Sequence, residues 1–126
     1  MTTTLIIVND APYGIERSYN ALRLGGSIAK REGERVRIFL MGDAALCAKR
    51  GQSVPNGFYK VENMLRAILL EQGEVGVCGT CMEARGMAED ELVPGAFRGT
   101  LSGLTDWTCA ADRVLVPVQA EYYALE

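Results

Sequence analysis

Two cysteines three residues apart, Cys78 and Cys81, are the side chains of this sequence best suited to making and breaking a covalent bond. They stand in Val77-Cys78-Gly79-Thr80-Cys81-Met82-Glu83-Ala84-Arg85, where an apolar run ends at Cys78 and a glycine turn leads into a short helical stretch. A thiol at such a junction faces the backbone N–H groups of a helix start, and the positive end of the helix dipole favours its thiolate. The size of that effect decides whether the cysteine matters. At an ordinary pKa of about 8.5, about 3% of a thiol is ionised at pH 7; at a pKa of about 7, half of it is. Cys81 falls on the same helical face as Cys78 and within disulfide reach. Arg85 is seven residues on, too far for its help to be assumed. Functional thiol chemistry, a structural metal and inert packing are the three readings this pair admits.

The residues that are missing narrow the field. The 126 residues include no histidine, which excludes Ser–His–Asp and Cys–His pairs and every His-containing metal site. A four-cysteine zinc site would need Cys47 and Cys109 to join the pair. Cys109 is expected late in a helix antiparallel to the strands, at the far edge of the sheet, and reads as core. Cys47 is at the correct edge, but three cysteines leave zinc one ligand short, so no metal is expected. Lys and Arg number 13 against 16 Asp and Glu, a formal charge of −3, which argues against a nucleic-acid binder. No apolar run approaches the length of a spanning helix, and Met1-Thr2-Thr3-Thr4 carries no signal-type segment, so the expectation is a cytoplasmic protein with no membrane contact. Cysteines in that setting are more often thiols than a disulfide framework.

Asn9, Asp10 and Tyr13 are the other polar candidates for substrate binding. The plainer view is an ordinary turn, with Asp10 capping a helix. Neither GxGxxG nor GxxxxGK[ST] occurs, so a nucleotide site has no support. Thioredoxin-like chemistry fits poorly, because Val77 and not an aromatic precedes Cys78, and the motif comes after at least three strands. Trp107 and the Tyr122-Tyr123 pair read as core or subunit-contact aromatics. Glu83, Glu89, Asp90 and Glu91 read as a solvated acidic patch.

The elements that must position these residues follow from periodicity. Leu5 to Val8 is a continuous apolar run, as in a strand buried on both faces. From Ile15 the positions Ile15, Tyr19, Leu22 and Ala29 form one helical stripe, closed by Gly33. Gly25 and Gly26 weaken that helix by about 1 kcal/mol each, which suggests close approach to a sheet or subunit. Val36 to Leu40 is the second strand. Val61, Met64, Leu65, Ile68 and Leu69 mark the clearest helix, with Gly73 as its C′ residue. Val75 to Cys78 is the third strand, Leu101, Leu104, Thr108 and Ala111 a last helical stripe, and Val114 to Val116 the final clear strand. Residues 42–57 and 86–99 resist assignment, apart from one more short strand near Phe97. Alternating apolar strands and helices predict a single α/β domain over residues 1–126, a mostly parallel sheet with helices on both faces. In such a sheet ligands bind beyond the carboxyl ends of the strands, the edge reached by the loops at Asn9–Gly14, Met41–Cys47 and Cys78–Met82.

Asn9-Asp10-Ala11-Pro12-Tyr13-Gly14 leading into Arg17 and Asn20 to Leu24, then Val77 to Gly86, then Asp112-Arg113-Val114-Leu115, resemble the DsrE/DsrF-like family over nearly the whole chain. The resemblance implies a three-layer α/β/α sandwich with a five-stranded sheet and assembly into homotrimers or homohexamers. It also implies sulfur relay: the family's carrier cysteine, which holds sulfane sulfur as a persulfide, matches Cys78. Cys81 is a departure, because a second cysteine at this spacing is not a fixed feature of the relay subunits. It could attack the persulfide, close a disulfide and release sulfide. The resulting expectation is a persulfide carrier or sulfurtransferase with Cys78 as nucleophile, Cys81 as resolving thiol and the Gly79 and Thr80 amides stabilising the anion. Its partners would be sulfur donor and acceptor proteins or small persulfides, with no cofactor. A non-catalytic oligomeric binding or redox-sensing protein is the alternative.

Overall fold

The computed structural model describes residues 1–55 and 59–117. Five strands form one parallel sheet: β1 (Thr2–Val8), β2 (Glu34–Leu40), β3 (Glu74–Cys78), β4 (Phe97–Gly99) and β5 (Arg113–Leu115), in the order β4-β3-β2-β1-β5. Parallel neighbours require crossovers, and their hand decides where the helices lie. From β1 to β2 to β3 the chain steps one way across the sheet, and right-handed crossovers put α1 (Arg17–Ala29) and α2 (Val61–Leu70) on the same face, packed against each other. From β4 it must return past three strands to reach β5. The reversed direction puts α4 (Leu101–Ala110) on the opposite face. The result is the three-layer α/β/α sandwich expected from the alternation of strands and helices.

The two faces are unequally covered. Under α1 and α2, Ile6, Val8, Val36, Ile38, Leu40, Val75 and Val77 are buried against Leu22, Leu65 and Ile68. Under α4 the buried set is only Leu5, Phe39 and Leu104, with Ile7, Met41, Cys78, Trp107 and Ala111 partly covered around them. Trp107 makes edge contacts with Phe39 and Phe97 at 6.1 and 5.6 Å, so it does serve this smaller core. Tyr122 and Tyr123 lie outside the described residues.

Several expectations shift in detail. The first helix begins at Arg17, two residues after Ile15, and ends at Ala29, before Gly33. Gly25 does approach the sheet, since a Cβ there would lie 3.3 Å from Ile6 and Ile38, but Gly26 faces open space. The α2 terminus is displaced by one residue from the expected one. Gln72 takes the left-handed conformation (φ 65°) as C′, and Gly73 is C″, its N–H donating to Ile68 O at 2.9 Å. Gly73 is nonetheless required, because a Cβ would sit 2.8 Å from that carbonyl oxygen. The short strand near Phe97 is present as β4. The hard-to-read stretch after β2 contains a 3-10 segment, Gly42–Ala48. Cys109 is exposed, contrary to its reading as core, because α4 turns one face to the sheet and Cys109 lies on the other side from Leu104 and Trp107. No described helix is long and apolar enough to cross a membrane.

Candidate functional site

Alternation along β3 sends Val75 and Val77 under the two-helix layer and turns Cys78 to the thinly covered α4 face, at the carboxyl edge. The chain then enters α3 (Gly79–Ala84), for which Cys78 is the N-cap. Its Sγ accepts a hydrogen bond from the Cys81 N–H at 3.3 Å and lies 3.4 Å from Thr80 Oγ1. In a helix this short, individually aimed N–H groups matter more than a summed dipole. Cys81 Sγ in turn accepts from the Gly42 N–H at 3.1 Å, which ties α3 to the end of β2.

These contacts drive the two thiols apart. Partial burial pushes Cys78 up, but hydrogen bonds from the Cys81 and Thr80 side chains and backbone amides outweigh it, and its pKa is lowered. Cys81 is raised, first by burial and then by its position as hydrogen-bond donor and neighbour to Cys78. Arg85 belongs to Cys81 and not to Cys78: it donates to Cys81 O at 3.1 Å and pairs with Asp43 at 2.7 Å, and its charge slightly offsets the rise. Both sulfurs are free thiols, partly exposed.

A cavity of about 390 Å³ opens beside them. Its walls are Phe39, Met41, Leu101 and Leu104 on the apolar side, the Cys78–Cys81 turn, and the Arg98–Thr100 end of β4. The structure therefore brings Cys78, Gly79, Thr80 and Cys81 together. Asp10 and Tyr13 point their side chains elsewhere. Asp10 pairs with Arg17 at 2.7 Å, and its carbonyl accepts from Ser18 Oγ at 2.6 Å. Tyr13 Oη accepts from the Val61 N–H at the start of α2. Asn9 is exposed beside Gly42, one loop away from the cavity wall. The amides turned on Cys78 are those of Thr80 and Cys81, one residue further along than the Gly79 and Thr80 pair expected.

Arg98, Phe39 and Thr100 were not singled out by the sequence. Arg98 enters because β4 pairs with β3, with Arg98 against Val77 and Gly99 against Cys78, so that its side chain leaves the strand on the Val77 face and reaches over Gly79 at the carboxyl edge. The one available signal was the short strand near Phe97, whose carboxyl end had to share an edge with Cys78. Glu83, read as part of a solvated patch, is ion-paired with Arg98. Cys47 is fully buried, its pKa pushed up to about 12 chiefly by burial, and its Sγ lies 3.9 Å from Asp10 O. Among the described residues no group of three or more Cys, Asp and Glu is arranged to hold a metal ion.

The DsrE/DsrF-like family model matches residues 3–117. The chain belongs to the DsrE/DsrF-like family. It is 41% identical over 118 residues to protein YchN of Escherichia coli K12, covering 91% of this chain and 98% of the relative. An uncharacterized protein of Methanopyrus kandleri is 39% identical over 114 residues, covering 87% of this chain and 89% of its own. The crystal structure of the E. coli YchN protein superposes with a TM-score of 0.87, covering 92% of this chain and 99% of that one. A Methanobacterium thermoautotrophicum protein of unknown function, 13% identical, shares the fold with a TM-score of 0.70 over 93% of this chain and all of the other. Membership in the DsrE/DsrF-like family associates the chain with sulfur relay by cysteine persulfides.

Proposed function

We propose that Cys78 accepts a sulfane sulfur and passes it on, with Cys81 as the resolving thiol. The observation that carries this reading is the opposite displacement of the two pKa values at one cavity: Cys78 ionises readily, while Cys81 keeps its proton. The Cys78 thiolate attacks the outer sulfur of a donor R–S–SH. A bond forms between Cys78 Sγ and that sulfur, the donor S–S bond breaks, and R–S⁻ departs, leaving Cys78–S–SH. Transfer to an acceptor thiolate repeats the exchange. Without an acceptor, Cys81 deprotonates and attacks Cys78 Sγ, closing a disulfide and expelling HS⁻, and a dithiol reductant must reopen the pair.

The test uses glutathione persulfide as donor. In the Cys81→Ser variant, intact-mass spectrometry is expected to find one added sulfur atom, mapped to Cys78. In the Cys78→Ser variant no sulfur is expected to be retained at residues 78–81. Equal uptake by both variants, or by neither, removes sulfur transfer. The redox-sensing alternative has its own support, since the Cys81 N–H lies 3.3 Å from Cys78 Sγ and Cys81 Sγ is itself held by the Gly42 N–H. It predicts a reversible Cys78–Cys81 disulfide on mild oxidation and no sulfur adduct in any variant.

A further inference from the structure

We infer that Arg98 is the anion-binding residue of this site: its guanidinium receives the negative charge of the sulfur donor and of the terminal sulfur once it is attached to Cys78. The inference rests on the reading of Cys78 as sulfur acceptor. Placement comes first. Arg98 lines the same cavity as Cys78, and its guanidinium lies so close over Gly79 that a Cβ there would meet Nε at 2.9 Å and Cζ at 3.0 Å. Gly79 is the residue bonded to Cys78, so the absence of a side chain there lets the guanidinium rest against the turn that carries the nucleophile.

Donor capacity comes second. Arg98 uses Nη2 to reach Glu83 Oε1, and among the described residues Nε and Nη1 have no hydrogen-bond acceptor. Guanidinium carries five N–H donors in a planar fork, so one monodentate partner leaves an edge for a second anion. Glu83 is itself 64% exposed and Arg98 33%, so the pair is a weak surface contact that a ligand can rearrange.

Chemical need comes third. Thiolate attack on R–S–SH carries one negative charge through to the departing R–S⁻, and the Cys78–S–SH it leaves ionises in turn, in a cavity whose apolar walls are Phe39, Met41, Leu101 and Leu104. After transfer, the charge on the new terminal sulfur stands about 2 Å beyond Sγ, in that same space. Arg98 is the cation lining it.

Two alkylating agents of similar size, neutral iodoacetamide and anionic iodoacetate, separate this role from a structural one. Both react with the same thiolate, so the ratio of their rates cancels any change in the Cys78 pKa. A Cys81→Ser/Cys109→Ser parent leaves Cys78 as the accessible thiol, because Cys47 is buried. In that parent the iodoacetate-to-iodoacetamide ratio is expected to exceed that of free cysteine and to fall with salt. Arg98→Gln is expected to lower the ratio about fivefold at low salt, Arg98→Lys to keep most of it, and Glu83→Gln to raise it. A ratio unmoved by Arg98→Gln overturns the inference, as does a parent ratio equal to that of free cysteine. Sulfur uptake from glutathione persulfide is measured on the same parent. Its failure there overturns sulfur acceptance by Cys78, whereas a flat alkylation ratio with intact uptake overturns only the role of Arg98.

Discussion

Cys78 and Cys81 differ in environment more than their three-residue spacing suggests. Cys78 is a lowered acid and Cys81 a raised one, and part of the Cys81 rise is the charge of Cys78 itself. Alkylation rate against pH, with the site mapped by mass spectrometry, is therefore expected to give a midpoint for Cys78 below that of an ordinary cysteine, and one for Cys81 above it. A lowered pKa means that thiolate persists to lower pH, so within the pair labelling below pH 8 should fall almost wholly on Cys78, while the exposed Cys109 is labelled separately and Cys47 stays unlabelled as long as the protein is folded. In Cys78→Ser the Cys81 midpoint should move down, because its charged neighbour is gone. Identical midpoints for the two thiols would contradict the asymmetry. How much of this was readable beforehand follows from range. Cys78, Gly79, Thr80 and Cys81 form one turn, and local spacing suffices to place a thiol against amides. Arg98 lies twenty residues on and arrives only through strand register, which no local pattern encodes. Asp10 and Tyr13 were ambiguous for a related reason: polar residues in a turn look alike whether they face a ligand or a neighbouring helix, and here Asp10 pairs with Arg17 of α1 and Tyr13 accepts from Val61 of α2.

At the level of elements, β1, β2, β3 and α2 were legible because each is long enough to repeat an apolar pattern. The β4 and β5 strands have three residues each, too few for any period, and were marked only by the short apolar stretches near Phe97 and at Val114 to Val116, while α4 buries only Leu104. Of its expected stripe, Leu104 and Ala111 pack on the sheet. Leu101 proved exposed, while Trp107, outside the expected stripe, packs on the sheet. The pattern also concealed one local conflict. Thr4 sits in the middle of β1, fully buried on the two-helix face, and its hydroxyl has no hydrogen-bond partner among the described residues. A buried hydroxyl left unpaired costs about 1–3 kcal/mol, whereas a methyl group in its place costs nothing of the kind. Thr4→Val keeps the branched shape and the strand preference. Urea denaturation is expected to show the variant about 1 kcal/mol more stable at unchanged m-value. A loss of stability would mean that the hydroxyl has found a partner or a water.

For the whole molecule the unequal covering of the sheet is the dominant fact. A parallel sheet with apolar strands needs shielding on both sides. One side has two packed helices. The other has α4 alone, and around it Leu101 is 74% exposed, Phe97 43% and Val114 40%. Leu24 and Leu70 are exposed on the two-helix side as well, but the apolar groups around α4 border a layer one helix thick, and such a patch marks an association surface. Association through the sheet edges is a poorer route, because the edge strands β4 and β5 offer only three residues each for pairing. We propose self-association of this chain through the α4 face, for which the family resemblance implies a trimer or hexamer, and it has a consequence for the chemistry. Leu101 lines the cavity of Cys78, so a neighbouring copy seated there would wall the cavity and restrict which donors reach the thiol. Light scattering on the purified protein should give three or six chain masses, and Leu101→Lys with Val114→Lys should shift it toward one. Iodoacetamide should then label Cys78 faster in the dissociated variant than in the assembly. A parent that is monomeric at every concentration, with Cys78 labelled equally fast in both, would leave the α4 face without a partner of its own kind.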